Sequence, residues 1–361
     1  MRSAVVVGTG AIGTSIALAL AAHGVSVHLD DVDSTAARTA EAMGAGTLLP
    51  PDGPVDLAVL AVPPAHIAGV LTRLQRSGTA LAYTDVGSVK SRPQHDIEAT
   101  GGDRSSYIGG HPLAGTERSG PLAARGDLFQ GRPWVLTPSD RTERAVLNQA
   151  LELVTLCSAT PVVMDPVAHD QAVALTSHAP HLVSALMAAR LAQAAEASIR
   201  ISGQGLRDVT RIAAGDRVLW SEILRANADA VAAVLDAYAV DLGQAVTALR
   251  GLDSPDPEVR KRATDRLDAM LEQGNQGRAR IDRKAGGPTA DLAAVSVAIT
   301  NQPGALARVF AAVGQLGVNI EDVRIEQGPD QPEGFVDLLV QREEAPRVAR
   351  QLGAGGWAVG G

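Results

Sequence analysis

The chain has 361 residues, 45% of them apolar and only 2% aromatic, with a formal net charge of −8. That length exceeds a single hydrophobic core and calls for two or three domains, whose cores must be built from Ala, Val, Leu and Ile. The charge argues against nucleic acid or an anionic membrane as partner, while leaving room for a local basic pocket that holds an anionic substrate.

In chain order, AVVV (4–7) reads as a short apolar strand, GTGAIG as a turn, SIALALAAHG as a helix closed by Gly24, and VSVHLD as a second strand. VDLAVLAVP is a third strand, AHIAGVLTRLQ a helix and ALAYTDVG a fourth strand. Short strands follow at YIGGH, PWVLTP and TPVVMD, with a helix at ERAVLNQALELVTL. Apolar strands alternating with helices are the pattern of a parallel sheet. After Asp165 almost everything to about residue 283 reads as helix, in three long stretches starting at VAHDQAV, SEILRAN and PEVRKRA. A Gly/Pro linker (KAGGPTAD) leads into a last region of β–α–β patterning.

The fold class expected is therefore α/β. It comprises a Rossmann-type parallel sheet domain over 1–164, an all-helical domain over 165–283, a linker at 284–292 and a small α+β domain over 293–361. The run from Arg2 to Ala22 imitates a secretory signal, but Gly8, Gly10 and Gly13 interrupt it at turn positions. No stretch approaches the ~20 apolar residues of a membrane span, and the expected location is the cytoplasm. The single cysteine, Cys157, permits no intrachain disulfide and reads as a small buried side chain.

GTGAIG is a Gly-x-Gly-x-x-Gly between a strand and a helix, which suits a dinucleotide. Gly8 permits the tight turn, Gly10 lets the backbone approach a pyrophosphate, and Gly13 lets helix and strand pack closely. Thr9, Ala11 and Ile12 complete the turn, and Val62 and Pro63 at the end of the third strand face the same crevice. Asp30 and Asp31 stand near the end of the second strand; counting from Gly24 makes Asp31 the ribose ligand and Asp30 its solvated neighbour. A carboxylate there repels a 2′-phosphate, and with no arginine adjacent in sequence the cofactor expected is NAD.

TDVGSVKS (84–91) and GGHPLAGTERSG (109–120) follow strands and so can face that crevice. Ser88 reads equally as the cap of a helix running through Val89 and Lys90, and His111 as a half-buried loop histidine. His178 and His181 share a helical face, with His169 one stretch earlier. No carboxylate or thiolate at suitable spacing completes a metal site, so no metal is expected. Arg207 and Arg211, four apart, can be presented on one face beside Val209 and Ile212.

These segments, in this order after GTGAIG, resemble the prephenate/arogenate dehydrogenase family over roughly residues 1–280. The departures are Ala179, where leucine is usual, and Gly215, where serine is frequent; neither is expected to touch the chemistry. The resemblance implies His111 as the catalytic histidine accepting the proton of the substrate's ring hydroxyl, and Ser88 as the residue orienting it. It also implies Arg211 as the carboxylate-binding arginine, His181, Thr116 and Glu117 as lining the pocket, and Trp220 as a weaker candidate contributed by a partner subunit. The substrate is then prephenate or arogenate, and the helical domain forms a homodimer.

Residues 293–361 resemble the ACT domain, a βαββαβ ligand-binding module, through the Pro303-Gly304 turn and GVNIEDV. That resemblance implies an amino-acid effector, here tyrosine, near Gly304 and Asn319.

Overall fold

The computed structural model describes residues 1–115, 119–281, 292–300, 302, 304–326 and 333–360. Thr116, Glu117, Pro303 and nearly all of the expected linker lie outside the described residues. Contacts divide the chain into two compact units, Met1–Gly243 and Gln244–Gly361.

The first unit opens with β1 (Ser3–Val7), α1 (Ala11–Ala22), β2 (Ser26–Asp30), α2 (Ser34–Ala42), β3 (Val55–Leu60), α3 (Ile67–Arg76) and β4 (Ala80–Asp85). It continues through α4 (Ser91–Ala99), β5 (Tyr107–Pro112), β6 (Pro133–Thr137), α5 (Arg144–Leu156) and β7 (Thr160–Val163). The seven strands form one sheet in the order β2-β1-β3-β4-β5-β6-β7. All neighbours run parallel except β5 and β6. Apolar clusters cover both faces: Ile16, Leu20, Phe129, Trp134 and Leu153 belong to one, Ile67, Leu71 and Ile97 to the other. The strand order reverses beside β1, which opens a crevice at the carboxyl ends of β1 and β3.

Helices follow: α6 (Pro166–Val173), a π turn over Ala174–His178, and α7 (Ala179–Leu191). Pro180 lacks the N–H that an α-helix would donate to Thr176, and the looser turn occurs at that point. Next come α8 (Glu196–Arg200), α9 (Gln204–Thr210), a short 3₁₀ turn over Arg211–Ala214, α10 (Arg217–Ala226), α11 (Ala228–Gly251) and α12 (Pro257–Ile281). The stretch expected as one helix over 221–250 is two, because Asn227 ends α10 and spends its side chain on other elements. By length and mean hydropathy (1.2), Pro166–Leu191 and Ala228–Gly251 are long and apolar enough to cross a membrane, contrary to the expectation that no stretch approaches that mark. Alanine richness explains the score, and the first of these helices carries Asp170 and three histidines.

In the second unit the C-terminal part contains β8 (Leu292–Thr300), α13 (Ala305–Gln315), β9 (Asp322–Glu326), β10 (Glu333–Gln341), α14 (Ala345–Ala354) and β11 (Val359–Gly360). The order is βαββαβ, and the antiparallel sheet runs β11-β8-β10-β9. Val297, Val336 and Leu338 of the sheet pack with Val309 and Val348 of the helices in a core of its own.

Candidate active site

At the crevice, Gly8 has φ +99° and its N–H reaches the Asp30 carbonyl at 2.8 Å. A Cβ on Gly8 would lie 2.2 Å from the Ala61 carbonyl oxygen, and one on Gly13 would lie 1.9 Å from the Gly8 oxygen. The turn therefore demands glycine at both positions, for the reasons the motif gives. Gly10 caps α1 without a side-chain bond and opens onto free space, so the first amides of α1 remain available to an anion. Asp31 lies one residue past β2; its Oδ2 accepts from the Thr9 N–H at 2.5 Å and the Thr9 hydroxyl at 2.8 Å. Asp30 is not merely a solvated neighbour, because its carboxylate meets Arg73 of α3 at 3.2 Å. An arginine is thus adjacent after all, brought from 43 residues away. The residues present fit a dinucleotide with an unphosphorylated ribose.

The carboxyl ends of β4 and β5 carry a connected polar cluster. His111, on β5, places Nδ1 2.8 Å from Nε2 of His169 on α6, and the Nδ1 of His169 lies 2.8 Å from Asp170. Asp170 also accepts from the Lys90 N–H at 2.8 Å and the Ser91 N–H at 2.9 Å. Burial alone would raise the pKa of Asp170, but the hydrogen bonds from His169, Ser91 and Lys90 bring it below the usual value. With Asp170 ionised, Nδ1–H of His169 donates to it. The Nε2 of His169 in that tautomer accepts the Nδ1–H of His111, which assigns the lone pair of His111 to Nε2. Burial first, then the positive charge of Lys90, holds the His111 pKa well below the ordinary 6.5.

Lys90 is itself buried. Its ammonium donates to Asp85 and, at 2.5 Å, to the carbonyl of Gly110, the residue before His111. Asp85 further accepts from Tyr107 at 2.5 Å and from the Gly87 N–H at 2.7 Å. One residue therefore steadies His111 from two sides, through Gly110 directly and through Asp170 and His169. Burial lowers the Lys90 pKa while Asp85 opposes the shift.

Ser88 is partly exposed in the loop before α4, whose cap position is Lys90. The capping reading of Ser88 is thereby removed. His178 sits where the Asn227 amide reaches its Nδ1 at 3.1 Å and the Asp170 carbonyl at 2.8 Å. Burial pushes the His178 pKa down to about 4. His181 stacks on Trp220 of its own chain, ring centroids 3.6 Å apart, so Trp220 has a partner within its own protomer. Gly215 matters here, contrary to expectation: a Cβ there would lie 2.5 Å from the Trp220 ring nitrogen and 2.9 Å from His181. A serine at 215 would displace the stack. Arg211, which opens the 3₁₀ turn packed on α7, is exposed and makes no ion pair with another described residue. Among the described residues no group of three His, Cys, Asp or Glu is placed to hold a metal.

Residues 16–163 match the profile of the nucleotide-binding domain of prephenate dehydrogenase, and residues 165–273 that of its dimerization domain. A probable prephenate dehydrogenase, NovF, of Streptomyces niveus is 42% identical over 99% of both chains. The chain belongs to the prephenate dehydrogenase family. It is an NAD-dependent oxidoreductase. Among solved structures, prephenate dehydrogenase from A. aeolicus, in complex with hydroxyphenyl propionate and NAD+, is 26% identical, with a TM-score of 0.66. The match covers 78% of this chain and 99% of that one. Synechocystis arogenate dehydrogenase is 28% identical at a TM-score of 0.63, over 78% of this chain and 100% of that one.

The polar cluster holds residues that sequence reasoning passes over. His169 and Asp170 stand adjacent in AHDQAV and Lys90 in GSVKS, so all three are visible as motif letters with no role attached. Asn227 has no sequence signal.

Proposed function

We propose that the chain converts prephenate and NAD to 4-hydroxyphenylpyruvate, carbon dioxide and NADH. The observation that carries the proposal is the hydrogen-bonded His111–His169–Asp170 chain, buried at His169 and Asp170, which engages Nδ1 of the partly exposed His111 and leaves its Nε2 for substrate. In the reaction His111 accepts the proton of the ring hydroxyl as hydride leaves the same carbon. The ring carboxylate then departs as carbon dioxide, its bonding pair completing the aromatic ring, and the resulting phenolate oxygen takes the proton back from His111. The bound cofactor supplies the hydride acceptor; Gly8, Thr9, Gly10, Ala11, Ile12 and Gly13 would hold its pyrophosphate, Asp31 its ribose, and Val62 and Pro63 would line the crevice. Ser88 orients the histidine, and Arg211 grips a substrate carboxylate with its planar fork. His181 lines the pocket, and the family resemblance assigns substrate contacts to Thr116 and Glu117, which lie outside the described residues.

Arogenate, with an amino-acid side chain in place of the pyruvyl group, undergoes the same chemistry, and the likeness to the Synechocystis enzyme supports that second reading. NADH formation with the two substrates side by side decides between them. The proposal requires faster turnover of prephenate; arogenate alone being turned over refutes it.

The functional modules follow the scheme 1–164 for nucleotide, 165–283 for substrate and dimerisation, and 293–361 for regulation in a cytoplasmic homodimer. The βαββαβ order of the last module, with Gly304 at φ +81° opening α13 and Asn319 exposed, supports an ACT-type sensor for tyrosine. At saturating substrate, tyrosine inhibition that weakens in Asn319→Ala supports the sensor; inhibition that disappears at saturating substrate reduces tyrosine to a competitor at the active site.

A further inference from the structure

The turn before α1 and the acid after β2 are joined by more contacts than a nucleotide turn requires. Thr9 is fully buried and sends both its N–H, at 2.5 Å, and its hydroxyl, at 2.8 Å, to Oδ2 of Asp31. The Asp33 N–H reaches the other oxygen, Oδ1, at 2.8 Å. Thr9 is steadied in turn, since its carbonyl accepts from the Thr14 hydroxyl at 2.9 Å. A carboxylate offers about four acceptor positions. Thr9 and Asp33 take three of them, so one acceptor position remains on Oδ1 of this partly exposed residue. One vacant acceptor matches one hydroxyl donor. A 2′-phosphate has no such donor to give and brings like charge, and a carboxylate tied at both oxygens cannot turn away from it.

We infer that Thr9 is a positioning residue for nucleotide choice, whose hydroxyl locks Asp31 and so strengthens the discrimination against NADP. This rests on the reading of Asp31 as the ribose ligand. Asp30 plays no part in the lock, since its carbonyl receives the Gly8 N–H and its carboxylate pairs with Arg73. That exposed pair is weak, so Arg73 can swing toward a phosphate once Asp31 no longer stands fixed. The lock is what keeps a nearby arginine from becoming a 2′-phosphate site.

The test is equilibrium binding of NAD and NADP to the full chain, followed by calorimetry. Thr9→Val removes the hydroxyl, keeps the N–H and nearly keeps the volume; Thr9→Ser restores the hydroxyl. The ratio of the NADP to the NAD dissociation constant should fall about tenfold in Thr9→Val, the worth of one hydrogen bond to a charged group. In Thr9→Ser it should stay within about twofold of native. If Thr9→Val does not fold, Thr9→Ala carries the same expectation. A native ratio in Thr9→Val or Thr9→Ala overturns the inference. Asp31→Ala separates the two ways of failing. If it leaves the ratio unchanged, Asp31 is not the ribose ligand and both readings fall; if it collapses the ratio while the Thr9 variants do not, only the role of Thr9 falls.

Discussion

Around His111 the polar groups answer one another within the chain, whereas the segment from Glu196 to Trp220 leaves charged and apolar side chains exposed together. His169, Asp170, Lys90 and Asp85 are all buried and hydrogen-bonded. In the later segment Ile201 is 86% exposed and Val218 62%, with Arg207 and Arg211 beside them in the open. The contrast separates two roles. A base must be oriented and held neutral before substrate arrives, so folding has to finish that part alone. A clamp for a carboxylate is finished by the ligand, and an apolar surface in a dimerization domain by a second subunit.

The sharpest way to break this contrast is at its prearranged end. His111→Ala should lower kcat by about 10²–10⁴-fold, the usual worth of general acid–base catalysis, in steady-state NADH assays. Turnover within about threefold of native would remove His111 from the reaction. His169→Gln leaves the base in place and takes away the ring that orients it, so kcat should fall about 10–100-fold, as for outer partners of ligating histidines. An unchanged kcat would make His169 packing only. At the open end, Arg211→Ala should act on affinity, raising KM about 10–100-fold for loss of one charged hydrogen-bonded partner. Arg211→Lys should be impaired too, because it loses the planar fork. A fall in kcat with KM unchanged would move Arg211 into the prearranged class.

The smallest effect expected is on stability. His178 is depressed to about 4 in the folded chain against an ordinary 6.5. Below 6.5 the unfolded chain binds the proton and the folded one resists it, so stability is full above 6.5 and is lost as pH falls toward 4. Tm measured across that window should decline, and His178→Gln should flatten part of the decline. Equal slopes would mean that His178 meets no penalty on protonation.

What can be read from the sequence follows the same division. The glycine turn, the strand ends, the loop carrying Ser88 and the strand end carrying His111 are local patterns, and local sterics make them legible. The tie between His111 and His169 spans 58 residues and that between Lys90 and Asp170 spans 80, so only the fold creates them. Asn227 looks like the interior of one long helix because its competing partners, His178 and the Asp170 carbonyl, lie far away in the chain. Arg73 is invisible as a neighbour of Asp30 for the same reason. Gly215 reads as a harmless departure in sequence, since the Trp220–His181 stack it makes room for is a tertiary contact. The βαββαβ order of the C-terminal module is legible because each element is short and bounded by turn residues.

The central claim is that His111 is a neutral base made ready by its buried neighbours. The pH dependence of kcat/KM for prephenate at saturating NAD tests it most directly. The acidic limb should titrate below the ordinary histidine value of about 6.5, and in His169→Gln it should shift. A limb at or above that value in the native enzyme, unmoved by His169→Gln, would contradict the account.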